Sequence, residues 1–302
     1  MRISAIVPTH DRPDALRRCL LTLQGQDLDP SKIEVVVVDD GSTSNIAADV
    51  EAVSTRGHVS IRYERQELGG LNAARNRGAT VAEGDVLAFL DDDTLVSPGW
   101  AKAMLSAFDR YPCAAVGGRV DLSLATPEPV WLGELRHYLA AYDLGPEPRW
   151  LGDDPVPVGA NCAVRKRDFE RLSGFKAGLD RMATSLVSNG DTEFFLRLRA
   201  AGGRLRYEPA ANVTHCVPAE RLTVSYFIDR HRAQGISDEL LLRLQGHVPS
   251  LGHRVGLIAA LLKTSKFLAR DLLAGRGTIR TRFLVSYWSG RLSALGLSPP
   301  SG

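Results

Sequence analysis

Residues 33–40 read IEVVVVDD and residues 85–93 read DVLAFLDDD. Each is a short apolar run that ends in carboxylates. A run that is apolar at successive positions, rather than at alternate ones, marks a strand buried on both faces, as in a parallel sheet covered by helices. Around these two runs the chain alternates. Ile3–Pro8 is a third short strand, and Val59–Tyr63 alternates like a fourth. After the first strand Asp11 is the expected N-cap, Pro13 sits in the first turn, and Ala15, Leu16, Cys19, Leu20 and Leu23 follow at helical spacing. Residues 70–82 and 98–110 read as further helices. Strand–helix alternation over the first 120 residues implies an α/β, doubly wound sheet.

Beyond this the pattern loosens. Seven prolines between 112 and 157, with Trp131, Tyr138 and Tyr142, suggest loops around a short helix. Regularity returns at residues 159–164, then as a helix over 191–201, a strand over 204–207 and another near Val213. After Pro218 the chain reads as helical. The expected division is 1–217 and 218–302.

The chain has 302 residues, which at roughly 150 per domain suits one large or two modest domains. It is 44% hydrophobic and 24% charged, which excludes a disordered or collagen-like chain. Its net charge of +2 gives no case for nucleic acid. The charge is uneven: residues 1–216 carry a net −5, whereas residues 241–302 carry nine basic side chains against Asp271 alone. The four cysteines are far apart and form no CxxC motif, so free thiols are expected. The N-terminus has no signal-like pattern, and the apolar run 257–262 is far short of the ~18 residues of a spanning helix. The expectation is a cytoplasmic chain that at most touches a membrane surface.

In an open parallel sheet, ligands bind beyond the carboxyl ends of the strands. Those ends read Pro8-Thr9-His10-Asp11-Arg12, Asp39-Asp40-Gly41-Ser42 and Asp91-Asp92-Asp93. Three adjacent carboxylates repel one another and add nothing to folding. They make sense around a divalent cation such as Mg²⁺ or Mn²⁺, or else as a solvated turn before the next helix. Asp39-Asp40 reads either as a common strand-end turn or as an acceptor for a nucleotide base or ribose. The stretch 69–78, GGLNAARNRG, lacks both GxGxxG and GxxxxGK[ST]. Its small residues suit close packing of a helix on the sheet, which turns Arg75 toward the strand ends to meet Asp92 or a diphosphate.

Taken in order, VPTHDRPDALRRCLLTL, VVVVDDGS, GGLNAARNRG, GDVLAFLDDD, GANCAVRKRDFERLSGF and NGDTEFFLRLRAAGG resemble a family 2 glycosyltransferase of the GT-A fold over residues 1–217. The resemblance implies a Rossmann-like, doubly wound mixed sheet with a helical C-terminal extension. It implies inverting transfer from a nucleotide-diphospho-sugar, a UDP-sugar by default, with a divalent cation, to a saccharide, lipid-linked or other hydroxyl acceptor. Thr9 and Arg12 would line the nucleotide pocket, Asp40 would meet the base, and Arg75 would lie close by. Asp91 and Asp93 would be the outer acids of the DxD motif, with Asp93 the more direct metal ligand. Asp92 would reach ribose or sugar, and His215 would bind metal or diphosphate. Asp191 would be the catalytic base. Gly190 precedes it where the family carries glutamate. Gly159, Ala160 and Asn161 match a loop near the donor sugar.

Two other readings share parts of this pattern. A sugar nucleotidyltransferase would carry a Gly-rich basic loop after the first strand, and this chain has Pro-Thr-His-Asp-Arg. A non-catalytic nucleotide-sugar-binding protein would fit the missing glutamate. In the C-terminal region Val255, Ile258, Leu261, Leu262, Leu268 and Leu272 share helical spacing with Lys263, Lys266 and Arg270 interleaved. Such a helix suits either an anionic membrane surface or packing on the catalytic domain. Trp131, Tyr138, Trp150 and Tyr226 suit either sugar stacking or core packing.

Overall fold

The structure is a computed structural model that describes residues 1–180, 185–275 and 277–297. Part of the segment 176–190 and Arg276 lie outside the described residues. The elements are β1 (Ile3–Thr9), α1 (Pro13–Gln24), β2 (Ile33–Asp40), α2 (Ile46–Ser54), β3 (Ser60–Gln66), α3 (Leu71–Val81), β4 (Val86–Leu90), β5 (Thr94–Val96), α4 (Trp100–Arg110), β6 (Ala115–Leu124), β7 (Arg149–Trp150), β8 (Asn161–Arg165), α5 (Lys166–Arg171), α6 (Gly190–Ala200), β9 (Leu205–Val217), α7 (Val224–Leu244), α8 (Leu251–Leu273) and α9 (Ile279–Ala294). The chain divides into two compact units. One comprises Met1–Ser123, Arg136–Phe175 and Asp191–Val217, and the other Leu124–Leu135, Lys176–Gly190 and Pro218–Gly302.

The first unit is a mixed sheet of nine strands among the described residues, in the order β3-β2-β1-β4-β8-β6-β9-β5 with β7 beside β9. β3, β2, β1 and β4 run parallel, while β8 pairs antiparallel with β4, and β5 with β9. The IEVVVV run buries both faces. Val35 and Val37 belong to one buried cluster, with Leu16, Leu20, Trp100 and Met104, while Val36 and Val38 belong to a second, with Ala74, Phe169, Phe194 and Leu198. The small residues of α3 bring that helix close to the sheet: a Cβ on Gly78 would lie 2.4 Å from Ile6 Cγ2.

Asp11 is not the N-cap of α1. Arg12 holds that position with no side-chain cap bond. Asp11 adopts a positive φ of 51° and turns its carboxylate to the backbone N–H groups of Thr43 and Ser44, tying the loop after β2 to the loop after β1. The two short strands expected near 204 and 213 are one long strand, β9.

In the second unit, α7 and α9 cross at glycines. A Cβ on Gly235 would lie 2.1 Å from the Tyr287 carbonyl oxygen, and one on Gly290 would lie 2.0 Å from that of Arg232. Near this crossing the buried Glu239 accepts hydrogen bonds from Arg291 at 2.7 Å and meets His253 of α8 at 2.9 Å. Trp131 packs edge-on against Phe227 and Phe283, and Trp150 against Tyr111, so both serve as packing groups rather than open sugar platforms. Among the described residues no helix is long and apolar enough to cross a membrane.

Candidate functional site

β1, β2 and β4 lie side by side and parallel, with Thr9 in register with Asp39, so their carboxyl ends open on one rim. The side chains there fall into three connected groups.

The first is built on Asp92 and Asp93, both buried. Thr9 Oγ1 donates to Asp92 Oδ2 at 2.8 Å. Arg12 spans the two acids, with Nη1 on Asp92 Oδ1 at 2.6 Å and Nη2 on Asp93 Oδ2 at 2.7 Å. His215 reaches Asp93 by backbone pairing: Thr94 of β5 is in register with His215 of β9, and Cys216 N–H donates to the Asp93 carbonyl at 2.9 Å. Burial raises the Asp92 carboxyl above its ordinary value. The Arg12 charge opposes that rise, the Asp93 charge adds to it, and the Thr9 hydrogen bond opposes it. Burial works against the Arg12 charge, but Asp92 and Asp93 outweigh it and raise the guanidinium above its ordinary value.

The second group joins the other outer acid to Asp191. Arg75, buried on α3, donates from Nη2 to Asp91 Oδ1 at 3.0 Å and to the Gly159 carbonyl at 2.9 Å. The Gly159 N–H donates to Asp191 Oδ2 at 2.6 Å, and Thr192 N–H donates to Asp191 Oδ1 at 2.8 Å. Asp191 lies in the first turn of α6, where the helix dipole favours a carboxylate. The expected pairing of Arg75 with Asp92 is not formed. Thr9 and Arg12 occupy the Asp92 oxygens, and Arg75 takes Asp91 instead.

Asp40 stands in the third group. Its Oδ1 accepts from Gln66 Nε2 at 2.7 Å and Gly69 N–H at 2.8 Å, and its Oδ2 accepts from Gly70 N–H at 2.9 Å. It thereby organises the loop between β3 and α3. Asp39 is held by Ser42, Tyr63 and Arg65.

Asn161 is a buried structural residue. Its amide donates to the carbonyls of Arg119 and Ala211 and accepts from Trp100 Nε1, so its side chain holds the fold together. Gly159 acts through its backbone, a role that sequence does not announce because every residue has an N–H and a C=O.

The residues present suit a divalent cation. His215 Nδ1 lies 2.8 Å from the Leu139 carbonyl, which can only accept, so Nδ1 carries a proton. Nε2 then faces Asp93 Oδ2, 3.1 Å away, an approach made attractive by a proton on Nε2 or by a cation shared between the two atoms. Adjacent donors on an octahedral ion with bonds near 2.1 Å stand about 3.0 Å apart. Among the described residues no three His, Cys, Asp or Glu close a metal cage. An ion that keeps waters and completes its shell with phosphate oxygens needs only such a short protein edge. Arg75 Nε is buried with no hydrogen-bond partner among the described residues, which adds a cationic donor beside Asp91.

The sequence pattern of the family described as Glycosyl transferase family 2 matches residues 4–173. The succinoglycan biosynthesis protein ExoM of Rhizobium meliloti is 28% identical over 253 residues, covering 82% of this chain and 77% of that protein. A glucosyl-dolichyl phosphate glucuronosyltransferase of Haloferax volcanii is 24% identical over 249 residues, covering 80% and 77%. Among solved structures, the mannosyltransferase PcManGT from Pyrobaculum calidifontis, in complex with GDP-Man and Mn²⁺, superposes with a TM-score of 0.65 at 19% identity, covering 98% of this chain and 87% of that one. The architecture is that of the GT-A glycosyltransferases, with helices at the C-terminus. With a family match over more than half of its length, the chain belongs to glycosyl transferase family 2 and is a glycosyltransferase.

Proposed function

We propose that the protein transfers a sugar, with inversion, from a nucleotide-diphospho-sugar to an acceptor hydroxyl in the synthesis of a bacterial glycan, cell-envelope polymer or glycoconjugate. The reading rests most on Gly159. One residue's backbone holds the Asp191 carboxylate on its N–H and the Arg75 guanidinium on its C=O. A proton acceptor and a cation are thus kept a fixed distance apart, as a displacement at an anomeric carbon between them requires.

The acceptor oxygen attacks the anomeric carbon and gives its proton to Asp191. The bond from that carbon to the diphosphate oxygen breaks, and its electron pair leaves with the nucleoside diphosphate. Arg75 stands beside Asp91 to meet the negative charge that develops there. Asp93 and His215, with Asp91, would hold a divalent cation, Mn²⁺ or Mg²⁺, which when bound neutralises the diphosphate. Thr9, Arg12 and Asp40 line the nucleotide pocket, and Asp92, whose oxygens hold Thr9 and Arg12, acts on ribose or sugar through those two side chains. With Gly190 in place of glutamate, Asp191 is oriented by the N–H groups of Gly159 and Thr192. No covalent intermediate on the protein is needed. Relatives named for succinoglycan biosynthesis and for a dolichyl-phosphate-linked substrate support a saccharide or lipid-linked acceptor. With a lipid-linked acceptor the enzyme works as a cytoplasmic protein peripheral to the inner face of the plasma membrane.

The test is Asp191→Asn, assayed with Mn²⁺ and UDP-, GDP- and dTDP-sugars. Transfer and slow donor hydrolysis fall on the order of 10²- to 10⁴-fold, while calorimetric affinity for the donor is retained. Normal turnover by that variant removes Asp191 as the base. Retention of the anomeric configuration in the product, read by proton NMR, refutes inversion.

A further inference from the structure

Helix α8 is long and, for a soluble helix, strangely bare. Of its 23 residues Leu257 alone is fully buried among those described. The side that meets α9 carries Leu257 with the half-buried Leu261 and Leu268. The sequence-level stripe therefore splits, and a separate apolar face is left outside. Leu251, Val255, Leu262 and Leu273 are 78%, 56%, 65% and 91% exposed, with Ile258 also exposed. At 3.6 residues per turn these five fall within a sector of about 60°. Lys266, Arg270 and Lys263, all exposed, occupy the next sector, and Arg254 flanks the other side. The sole carboxylate of α8, Asp271, belongs to the α9-facing side and pairs with Arg270.

We propose that this face of α8 docks the protein on an anionic lipid surface. The proposal rests on the membrane location put forward above and is independent of the transfer chemistry. Apolar side chains of this size enter the boundary between headgroups and acyl chains, and a basic flank adds attraction to anionic headgroups. The charges also select the occupant. A second copy laid on this face would bring lysines and arginines against their own kind, with Asp271, already on Arg270, the one carboxylate the helix has to offer, whereas an anionic bilayer supplies the missing sign.

The experiment is co-sedimentation of the full chain with vesicles of phosphatidylcholine alone or mixed with phosphatidylglycerol. The protein should sediment with the mixed vesicles and stay in solution with phosphatidylcholine, and added salt should release it. Changing Val255, Ile258 and Leu262 together to serine should cut binding at least tenfold with the melting temperature kept, since all three are exposed. Changing Lys263, Lys266 and Arg270 to glutamine should cost roughly fivefold per charge. Neither variant should alter donor turnover with a soluble acceptor, so loss of docking and failure of the transfer reading are told apart. No sedimentation, equal binding to both vesicle types, or full binding by either variant overturns the proposal. So does a dimer in analytical ultracentrifugation that the serine variant dissolves.

Discussion

Replacing Gly159 by alanine should slow transfer sharply while leaving the fold intact. The new methyl carbon would lie 2.8 Å from both terminal nitrogens of Arg75 and 3.0 Å from Asp191 Oδ2, where ordinary contact begins at 3.4 Å. Arg75 must therefore retreat by about 0.6 Å and Asp191 by about 0.4 Å if the backbone stays in place. Misplacing reacting groups by about 1 Å costs on the order of 10²-fold, so shifts of about half that size should cost roughly tenfold in kcat. The position has no left-handed φ, so alanine meets no backbone penalty there. Steady-state kinetics with donor varied at fixed acceptor would separate kcat from KM, and a thermal melt would confirm folding. Gly99→Ala is the control, since nothing lies within 4 Å of its would-be Cβ. A folded Gly159→Ala enzyme with kcat within twofold of the parent would refute the idea that this backbone spaces the two side chains.

Three further outcomes follow from the geometry. His215→Ala should weaken Mn²⁺ binding in the presence of UDP by on the order of 10- to 100-fold, read by titration calorimetry, and unchanged heats remove His215 from the cation edge. Acid should destabilise the fold through Asp39 and Asp11. Burial raises the Asp39 carboxyl, but hydrogen bonds from Ser42 and Tyr63 and the Arg65 charge bring it below 3.8. The Ser44 and Thr43 hydrogen bonds hold Asp11 at about 2. Between folded and unfolded values the unfolded chain binds more protons, so the stabilisation is complete above 3.8 and is lost as pH falls toward the folded values. Urea melts across this range should show a shallower decline for Asp39→Asn, and a parallel decline refutes the assignment. Gly290→Ala should cost about 1–3 kcal/mol in chemical denaturation, because its methyl would meet the Arg232 carbonyl carbon at 2.9 Å as well as its oxygen; an unchanged midpoint argues against a backbone-level crossing.

What sequence could reveal followed from how each element earns its stability. The doubly buried strands were legible because an uninterrupted β-branched run has few other uses. β6 is the harder strand to see because Gly117 and Gly118 break its apolar start, although the RVDLSL that follows alternates as a strand does. Its glycines are small for contact reasons, with Pro157, Asn161 and the Ala211 carbonyl closing on them. β9 read as two pieces because Glu208-Pro209 interrupts the apolar pattern at a point that pairing across the sheet overrides. Within the site, the acids at strand ends were visible by position alone. Their partners were not: Arg12 meets Asp92 and Asp93 across 80 and 81 residues, and only the folded sheet joins those loops. The exposed face of α8 was hidden for a related reason, since helical spacing gives a stripe but not which edge of it a neighbour covers.

The glycine crossing of α7 and α9 has a mechanical meaning. Two rods that touch through bare peptide groups have no cushion of side chains to shear, so they move as one strut. Glu239 on one rod is clasped by Arg291 on the other, and Tyr287 grips Asp238 one residue away. His253 fastens α8 to the same clasp. A force applied to the outer face of α8 would therefore travel through the bundle as a whole instead of being absorbed by bending within it.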